Sequence, residues 1–365
     1  MENRLLLAFV LSLAVFIGWG YFLAQIQGPL PVKEPGMEEF PEDAQALAPK
    51  SRALGSAPSG LPKSESYQPT TPMPVPIDPF PGEEVLIQVS TGKTHFVISN
   101  RGGVIKQLQL PRFNDDSGEI IDLIDNPDHL TPALALRAND PEVTAILQHA
   151  HYEPSTTSIV LSEFNPEGRL TLTLNHSSGL QVTRTYVFHF NDYMVEMGIQ
   201  ISAAAMASRN LQYQVLLGPG MGGKISSQTD YIVFSGATVF ANNERIENPP
   251  EDINNTSYFK GDLQWVAFQN KYFGSALIPQ QGTKSGVVFK EKDQAFVGLE
   301  LESVQSAASA QILFYGGTKE LEILEDKGHK LVRMIDYGWF GNKFAFLVKP
   351  LLKVLAYFYG LTGNY

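Results

Sequence analysis

Leu170-Thr171-Leu172-Thr173-Leu174 is the stretch of this 365-residue chain that decides its fold class. Leucines alternate with threonines, which is the period-two pattern of a strand with one face buried and the other face solvated. A helix would instead place its apolar residues three and four positions apart. The stretch therefore predicts a half-buried strand of an antiparallel sheet.

Similar β-rich runs, separated by glycine, asparagine, aspartate and proline, continue through residues 83–335. They include residues 85–89, 94–98, 104–110, 182–190, 195–201, 211–217, 265–268, 272–278, 287–289 and 311–315. About 250 residues of such runs, without convincing helices between them, predict one large antiparallel β-sandwich. A helical pattern appears only near the end of this region, over residues 319–327.

The N-terminal part of the chain predicts a membrane anchor followed by a tether. Residues 5–24 are twenty residues without a charge, and a helix of that length, at ~1.5 Å per residue, spans a bilayer's hydrocarbon core. A cleaved secretory signal is the alternative, but the run is long for a signal core and no small-x-small cleavage pattern follows it. Residues 25–82 hold thirteen of the twenty-four prolines, which predicts a disordered, solvated tether.

Charge and cysteine content limit the partners and the compartment. The net charge of −11 leaves no basic patch to neutralise phosphates, so nucleic-acid binding is not expected. Arg4 precedes the apolar run and acidic residues follow it, which favours a cytoplasmic N-terminus, residues 1–4, with the main domain across the membrane. The chain has no cysteine, so no disulfide indicates a compartment.

The last thirty residues, 336–365, predict an amphipathic helix that lies in a membrane interface. The residues expected to contact the membrane are Trp339, Phe340, Phe344, Leu347, Lys349, Leu351, Leu352, Lys353, Leu355 and Phe358. The apolar members of this set enter the interface, while the two lysines reach lipid phosphates. A helix that packs on the protein core is the alternative interpretation.

Three motifs follow one another along the chain. They are Phe96-Val97-Ile98-Ser99-Asn100-Arg101-Gly102-Gly103, then Trp265-Val266-Ala267-Phe268-Gln269-Asn270-Lys271-Tyr272-Phe273, and finally Asp336-Tyr337-Gly338-Trp339 with its following helix and Gly363-Asn364-Tyr365. In this order, after an anchor and a proline-rich tether, they resemble the YidC family of bacterial membrane-protein insertases. The resemblance covers essentially the whole chain.

The resemblance implies a periplasmic, galactose-mutarotase-like β-supersandwich placed before an insertase core of membrane helices. It implies a role in insertion and folding of inner-membrane proteins, with no catalytic residue, no cofactor and no metal. The implied partners are the lipid bilayer, nascent inner-membrane proteins and Sec translocon subunits. Because the chain ends where the second membrane helix of the family would begin, a truncated form without the groove-forming core is expected.

A membrane-tethered carbohydrate-binding or epimerase-like protein is the alternative function. Two histidines and a carboxylate can perform acid–base chemistry on a sugar, but the sequence does not place such a trio together. A separate pattern concerns a metal site. His149 and His151 have the spacing of residues on one face of a strand. With Glu153 as a candidate third ligand, the same pair can hold a metal ion.

The first two motifs also predict local structure. Arg101-Gly102-Gly103 predicts a turn after a strand, with the glycines supplying positive φ angles. The aromatic residues of the second motif are either core residues or part of a docking face, and these are Trp265, Phe268, Tyr272 and Phe273.

Overall fold

The β-rich region of the sequence forms strands along most of its length. The computed structural model describes residue 80 and residues 82–124, 133–222, 234–291 and 293–335. All of these residues belong to one compact unit, Pro74–Tyr365. The predicted anchor, all of the predicted tether except residues 80 and 82, and the predicted interfacial helix lie outside the described residues. The domain boundaries therefore stay predictions.

The described residues form twenty strands, two α-helices and two 3₁₀ helices. The strands are β1 Leu86–Ser90, β2 His95–Ser99, β3 Val104–Asn114, β4 Ile120–Asp122, β5 Ala135–Ala138, β6 Glu153–Pro154, β7 Ser158–Val160, β8 Glu167–Asn175, β9 Gln181–His189, β10 Met194–Ser202, β11 Tyr213–Leu217, β12 Gly236–Ala241, β13 Glu244–Asn248, β14 Ser257–Phe259, β15 Leu263–Gln269, β16 Phe273–Gln281, β17 Thr283–Glu291, β18 Gln294–Leu301, β19 Ser303–Val304 and β20 Ala307–Thr318. The helices are α1 Pro141–His149, α2 Leu321–Lys327 and the 3₁₀ turns Ala204–Arg209 and Leu331–Met334.

These strands assemble into three sheets. The first sheet has the strand order β4-β3-β2-β1-β7, and the third sheet has the strand order β14-β17-β18-β11-β5. The large sheet has the strand order β13-β12-β15-β16-β20-β10-β9-β8-β6, and β19 also pairs with β20. Among the described strands every neighbouring pair is antiparallel apart from β1 and β7, which run parallel. The prediction of a mostly β, antiparallel fold is confirmed.

The alternating stretch that predicted the fold class lies on β8. Leu170, Leu172 and Leu174 are buried in the core, while the threonines between them are half-buried on the opposite face. Their backbone pairs with β9, where Leu172 lies opposite Arg184. The period-two pattern therefore reports which face of the large sheet meets the core.

One continuous cluster of buried apolar side chains includes residues from all three sheets. Ile98 comes from the first sheet, Phe188 from the large sheet and Val297 from the third. The rings of Phe96 and Phe188 lie 5.3 Å apart in a tilted arrangement, which links the first and large sheets. Layers of sheet packed face to face in this way form a sandwich with a shared core.

The turn between β2 and β3 is built by two glycines, as the sequence predicted. Gly102 and Gly103 have φ angles of +71° and +64°, which L side chains rarely adopt. A Cβ on Gly102 would also lie 2.5 Å from the carbonyl oxygen of Gln148. The turn can therefore lie directly against the C-terminal end of α1, where the Gly102 amide donates to the carbonyl of Ala150 over 3.0 Å.

Candidate functional site

The ten residues predicted to contact the membrane all lie outside the described residues. They are Trp339, Phe340, Phe344, Leu347, Lys349, Leu351, Leu352, Lys353, Leu355 and Phe358. Their role therefore stays a prediction. Among the residues that the structure describes, no helix combines the length and the apolar character needed to cross a bilayer.

The aromatic residues of the second motif are mainly core residues. Trp265, Phe268 and Phe273 are 0%, 3% and 1% exposed. Tyr272 differs, since 40% of its surface is exposed and its ring lies edge-on to that of Phe273 at 6.4 Å between centroids. A docking face made of all four side chains is therefore not available, and Tyr272 alone reaches the surface.

The expectation that His149 and His151 share one face of a strand is wrong. His149 is the last residue of α1, and His151 lies beyond the helix in an isolated bridge with Arg101. Glu153 begins the short strand β6. Within the described ranges, no three histidine, aspartate or glutamate side chains are grouped as metal ligands would be. The two-residue spacing gave a wrong prediction because α1 ends at His149, so the two histidines do not belong to one regular strand.

A groove on the third sheet has room for a ligand. Its volume is about 570 Å³. Side chains of β5, β11, β14, β17 and β18 line it, and α1 forms one wall. Volumes of this size are typical of sites for small molecules.

The floor of the groove is formed by three members of a small hydrophobic cluster that is separate from the main core. The cluster consists of Leu216, Val287, Phe289 and Phe296, and all of them except Val287 line the groove. Neighbouring residues on the same strands, such as Val215 and Val297, point to the main core instead. The third sheet is therefore apolar on both faces, and the rings of Phe289 and Phe296 stack at 5.3 Å on the groove side.

Arg137 covers part of this floor. Its guanidinium lies 4.8 Å from the centroid of the Phe289 ring, and its Nη1 donates to Glu291 Oε2 over 3.2 Å. Arg137 also lies directly opposite Gln214 in the pairing of β5 with β11. A planar guanidinium stacked on an aromatic ring keeps its outer N–H groups directed away from the ring. These donors are positioned at the groove.

Glu300 supplies a carboxylate at the groove and is almost completely buried. Its Oε2 accepts a hydrogen bond from Ser285 Oγ over 2.7 Å, and its Oε1 accepts one from Lys284 Nζ over 3.1 Å. A buried charge is stable when it is paired in this way. Glu300 on β18 lies opposite Gln214 on the adjacent strand β11, so the two residues are cross-strand neighbours.

The position of α1 is set by a helix cap at Asp140. The Asp140 Oδ1 accepts hydrogen bonds from the amides of Glu142 and Val143 over 2.9 and 3.1 Å, and Pro141 occupies the first turn. These contacts fix the wall of the groove that Thr144 and Gln148 provide. The sequence prediction overlooked this helix, although Asp140-Pro141-Glu142 is a typical helix start.

The hydrogen bonds from the backbone amides of Val143 and Glu142, together with Arg209, hold the pKa of Asp140 below its ordinary value of 3.8, although burial acts in the opposite direction. We expect Asp140→Ala to lower the free energy of unfolding by about 1 kcal/mol, whereas Asp140→Asn keeps a capping oxygen and costs less. The carboxylate's contribution is present above pH 3.8 and is lost as the pH falls through the lower pKa of the folded state.

Urea denaturation at pH 7 and at acidic pH checks this expectation for the parent chain and both variants. The asparagine variant should lack the acid-dependent loss that the aspartate shows. Equal stability of the alanine and parent proteins at pH 7 would contradict the role of Asp140 as a cap.

The groove residues were not identified from the sequence. One signal for the third sheet is present in the sequence: Val287-Val288-Phe289 and most residues of β18 form apolar runs without alternation, and in the structure they are buried. Such runs indicate a strand covered on both faces. They do not indicate which other segments surround the second face, since Arg137, Gln212 and Tyr258 come from distant parts of the chain.

Comparison with known proteins places the chain among insertase relatives. The Membrane protein insertase YidC of Pelobacter propionicus is 26% identical over 377 residues, which cover 100% of this chain and 64% of that protein. The protein of the same name from Geobacter sulfurreducens is 28% identical over 279 residues, covering 73% of this chain and 50% of that protein. The chain thus spans less than two thirds of the length of these relatives.

Two solved structures are among those to which this chain is similar. A galactose mutarotase-like protein from Lactobacillus casei has a TM-score of 0.40 at 8% identity, over 64% of this chain and 99% of that chain. A galactose mutarotase related enzyme from Lactobacillus acidophilus has a TM-score of 0.38 at 7% identity, over 64% of this chain and 97% of that chain.

The family model of the YidC periplasmic domain matches residues 86–354, which is most of the sequence. The chain therefore belongs to the YidC periplasmic domain family.

Proposed function

We propose that this chain provides the membrane anchor, the periplasmic β domain and the interfacial helix of a membrane-protein insertase. The proposal rests on the family match over residues 86–354 and on relatives called Membrane protein insertase YidC that align with the whole chain. In this role the protein assists insertion and folding of newly made inner-membrane proteins. Its partners are these proteins, the lipid bilayer and Sec translocon subunits.

The proposal assigns a place to each part of the chain in the bacterial inner membrane. Residues 1–4 are cytoplasmic, residues 5–24 cross the bilayer once, and residues 25–82 form the tether. Residues 83–335 form the periplasmic domain, and residues 336–365 lie in the interface. The apolar side chains of an interfacial helix, worth ~1.5–3 kcal/mol each when fully buried, can supply on the order of 10 kcal/mol of membrane association.

The proposal assigns no covalent chemistry, cofactor or nucleic-acid partner to these residues. An epimerase-like reaction has little support, because no histidine among the described residues lines the groove on the third sheet. Carbohydrate binding without catalysis has a specific observation in its favour, which is the polar lining of that groove. It is compatible with an insertase role.

A complementation experiment tests the proposal. Cells depleted of their own insertase are supplied either with this chain alone or with a chimera in which it is joined to the part of the Pelobacter propionicus relative that it does not match. We expect the chimera, and not the chain alone, to restore insertion, because the membrane groove is assigned to the additional part. Protease accessibility of a reporter inner-membrane protein measures the result.

The intact Pelobacter propionicus relative serves as the positive control, at equal expression. If that relative restores insertion and the chimera does not, these residues do not function as an insertase component. Restoration by the chain alone would instead show that the additional part is unnecessary.

A further inference from the structure

We propose that the groove on the third sheet is a binding site for a short, uncharged oligosaccharide. At about 570 Å³ it has room for a ligand of this size. The site lies within the β domain and does not depend on the insertase role. The hydrogen-bonding groups of the groove, its aromatic rim, its charge and its backbone all favour a saccharide.

Side-chain amides in the groove match the hydroxyl groups of a sugar. Gln214 lies on β11 and Gln212 directly before it, both line the groove, and neither side chain forms a hydrogen bond with another described residue. An amide offers a donor and an acceptor at the same place, and so does a sugar hydroxyl. Two amides beside one another therefore suit a ligand that presents several hydroxyl groups.

Tyr258 supplies an aromatic rim. It lies on the edge strand β14 opposite Val287, a member of the hydrophobic cluster at the groove floor, and it lines the groove. Its side chain is 52% exposed, which is unusual for so large a ring. An exposed ring with a polar tip provides both an apolar surface for the C–H face of a sugar and a hydroxyl for hydrogen bonding.

The charges in the groove are already compensated. Arg137 pairs with Glu291 at 3.2 Å, and Glu300 pairs with Lys284 at 3.1 Å. An ionic ligand would have to compete with these pairs or leave a charge without compensation. An uncharged ligand can use the remaining N–H groups of Arg137 and the remaining lone pairs of Glu300 without separating either pair.

The backbone of the floor favours a saccharide over an extended peptide. β11 is paired with β18 on one side and with β5 on the other, and β18 is likewise paired with β17 and β11. A peptide that binds by adding a strand needs a free sheet edge. The edge strands β5 and β14 border the groove, but its floor lies on the face of the inner strands β11, β17 and β18. On that face side chains are available and backbone groups are not, and these side chains match hydroxyl groups.

The test uses the full chain in lipid nanodiscs, because detergents with sugar headgroups would compete. Chitotriose and cellotriose are titrated separately by isothermal calorimetry. We expect saturable binding of at least one of them with one site per chain. Tyr258→Ala and Gln214→Ala should each weaken binding at least about tenfold, because each removes a direct contact.

Tyr272→Ala is the matched control, since Tyr272 is also an exposed tyrosine but lies outside the groove. It should leave the affinity unchanged, and thermal unfolding should show that all three variants are folded. Absence of saturable binding up to about 10 mM of either sugar, or binding that neither groove variant weakens, would overturn the proposal.

A second titration with reduced, carboxymethylated lactalbumin, an unfolded polypeptide, separates the competing class of ligand. Binding of this polypeptide that is lost in the Tyr258 and Gln214 variants, without binding of either sugar, would assign the groove to extended peptides and overturn the saccharide proposal. Because neither titration involves membrane insertion, failure here leaves the insertase proposal unaffected.

Discussion

Replacing Arg184 with methionine is expected to lower the free energy of unfolding by about 2–4 kcal/mol. Arg184 lies on β9 and is completely buried. Its Nη1 donates to the Gly102 carbonyl over 3.0 Å, and its Nη2 donates to the Leu134 carbonyl over 2.6 Å. Methionine keeps much of the apolar stem but leaves both buried carbonyls without these donors.

Removing a buried cation also relieves a desolvation cost, and this opposing effect keeps the expected loss below the sum of two lost hydrogen bonds. Tyr186 remains in place beside Arg184, with its hydroxyl donating to the Gly103 carbonyl over 3.0 Å. Burial raises the pKa of Tyr186, so the hydroxyl keeps its proton and remains a donor. The turn at Gly102 and Gly103 should therefore loosen in the variant without losing every contact.

Urea denaturation followed by circular dichroism measures the effect. The matched control is Arg169→Met on the neighbouring strand β8, because Arg169 is exposed and should change stability by less than about 0.5 kcal/mol. If Arg184→Met were as stable as the parent protein, the desolvation cost of the cation would fully offset its two hydrogen bonds, and its assigned role would be wrong.

Trp265→Ala is expected to destabilise the protein by about 3–5 kcal/mol, while Trp265→Phe should cost much less. Trp265 is 0% exposed, and its ring stacks on Phe240 with the centroids 5.4 Å apart. Alanine removes this contact and leaves a large cavity. Phenylalanine preserves a stacked ring and also removes the indole N–H, which has no hydrogen-bond partner among the described residues.

The two variants are compared by the urea midpoint and by the slope of the transition, since an unchanged slope shows that the midpoint reports stability. Tyr272→Ala is the control, because it also removes an aromatic ring but at an exposed position. Its effect should stay within about 0.5 kcal/mol. A loss for Trp265→Phe as large as that for Trp265→Ala would contradict the view that ring stacking, and not the indole N–H, makes Trp265 important.

Much of the fold could be predicted from local patterns. The alternation at Leu170, Leu172 and Leu174 identified a strand and its buried face, and the glycines at 102 and 103 identified the turn before β3. The helical pattern over residues 319–327 corresponds to α2. These predictions succeeded because side-chain direction in a strand and backbone conformation at glycine are local properties.

The candidate site could not be predicted in the same way. The cap at Asp140 was a readable local signal that was overlooked, and with it the helix that ends at His149. Tyr258 and Gln214 gave no such signal, because their importance comes from lying on the same face of one sheet. The residues predicted to contact the membrane, from Trp339 to Phe358, lie outside the described residues, and their role stays a prediction.

Residue spacing and local conformation were enough to establish that this chain is mostly β, where most of its strands lie and which family it resembles. The contacts of Arg184 with carbonyls 82 and 50 residues away along the chain became visible in the folded structure alone. The same is true of the groove that forms where β5, β11 and β18 meet. Strand order brings such distant residues together, and no local pattern specifies strand order.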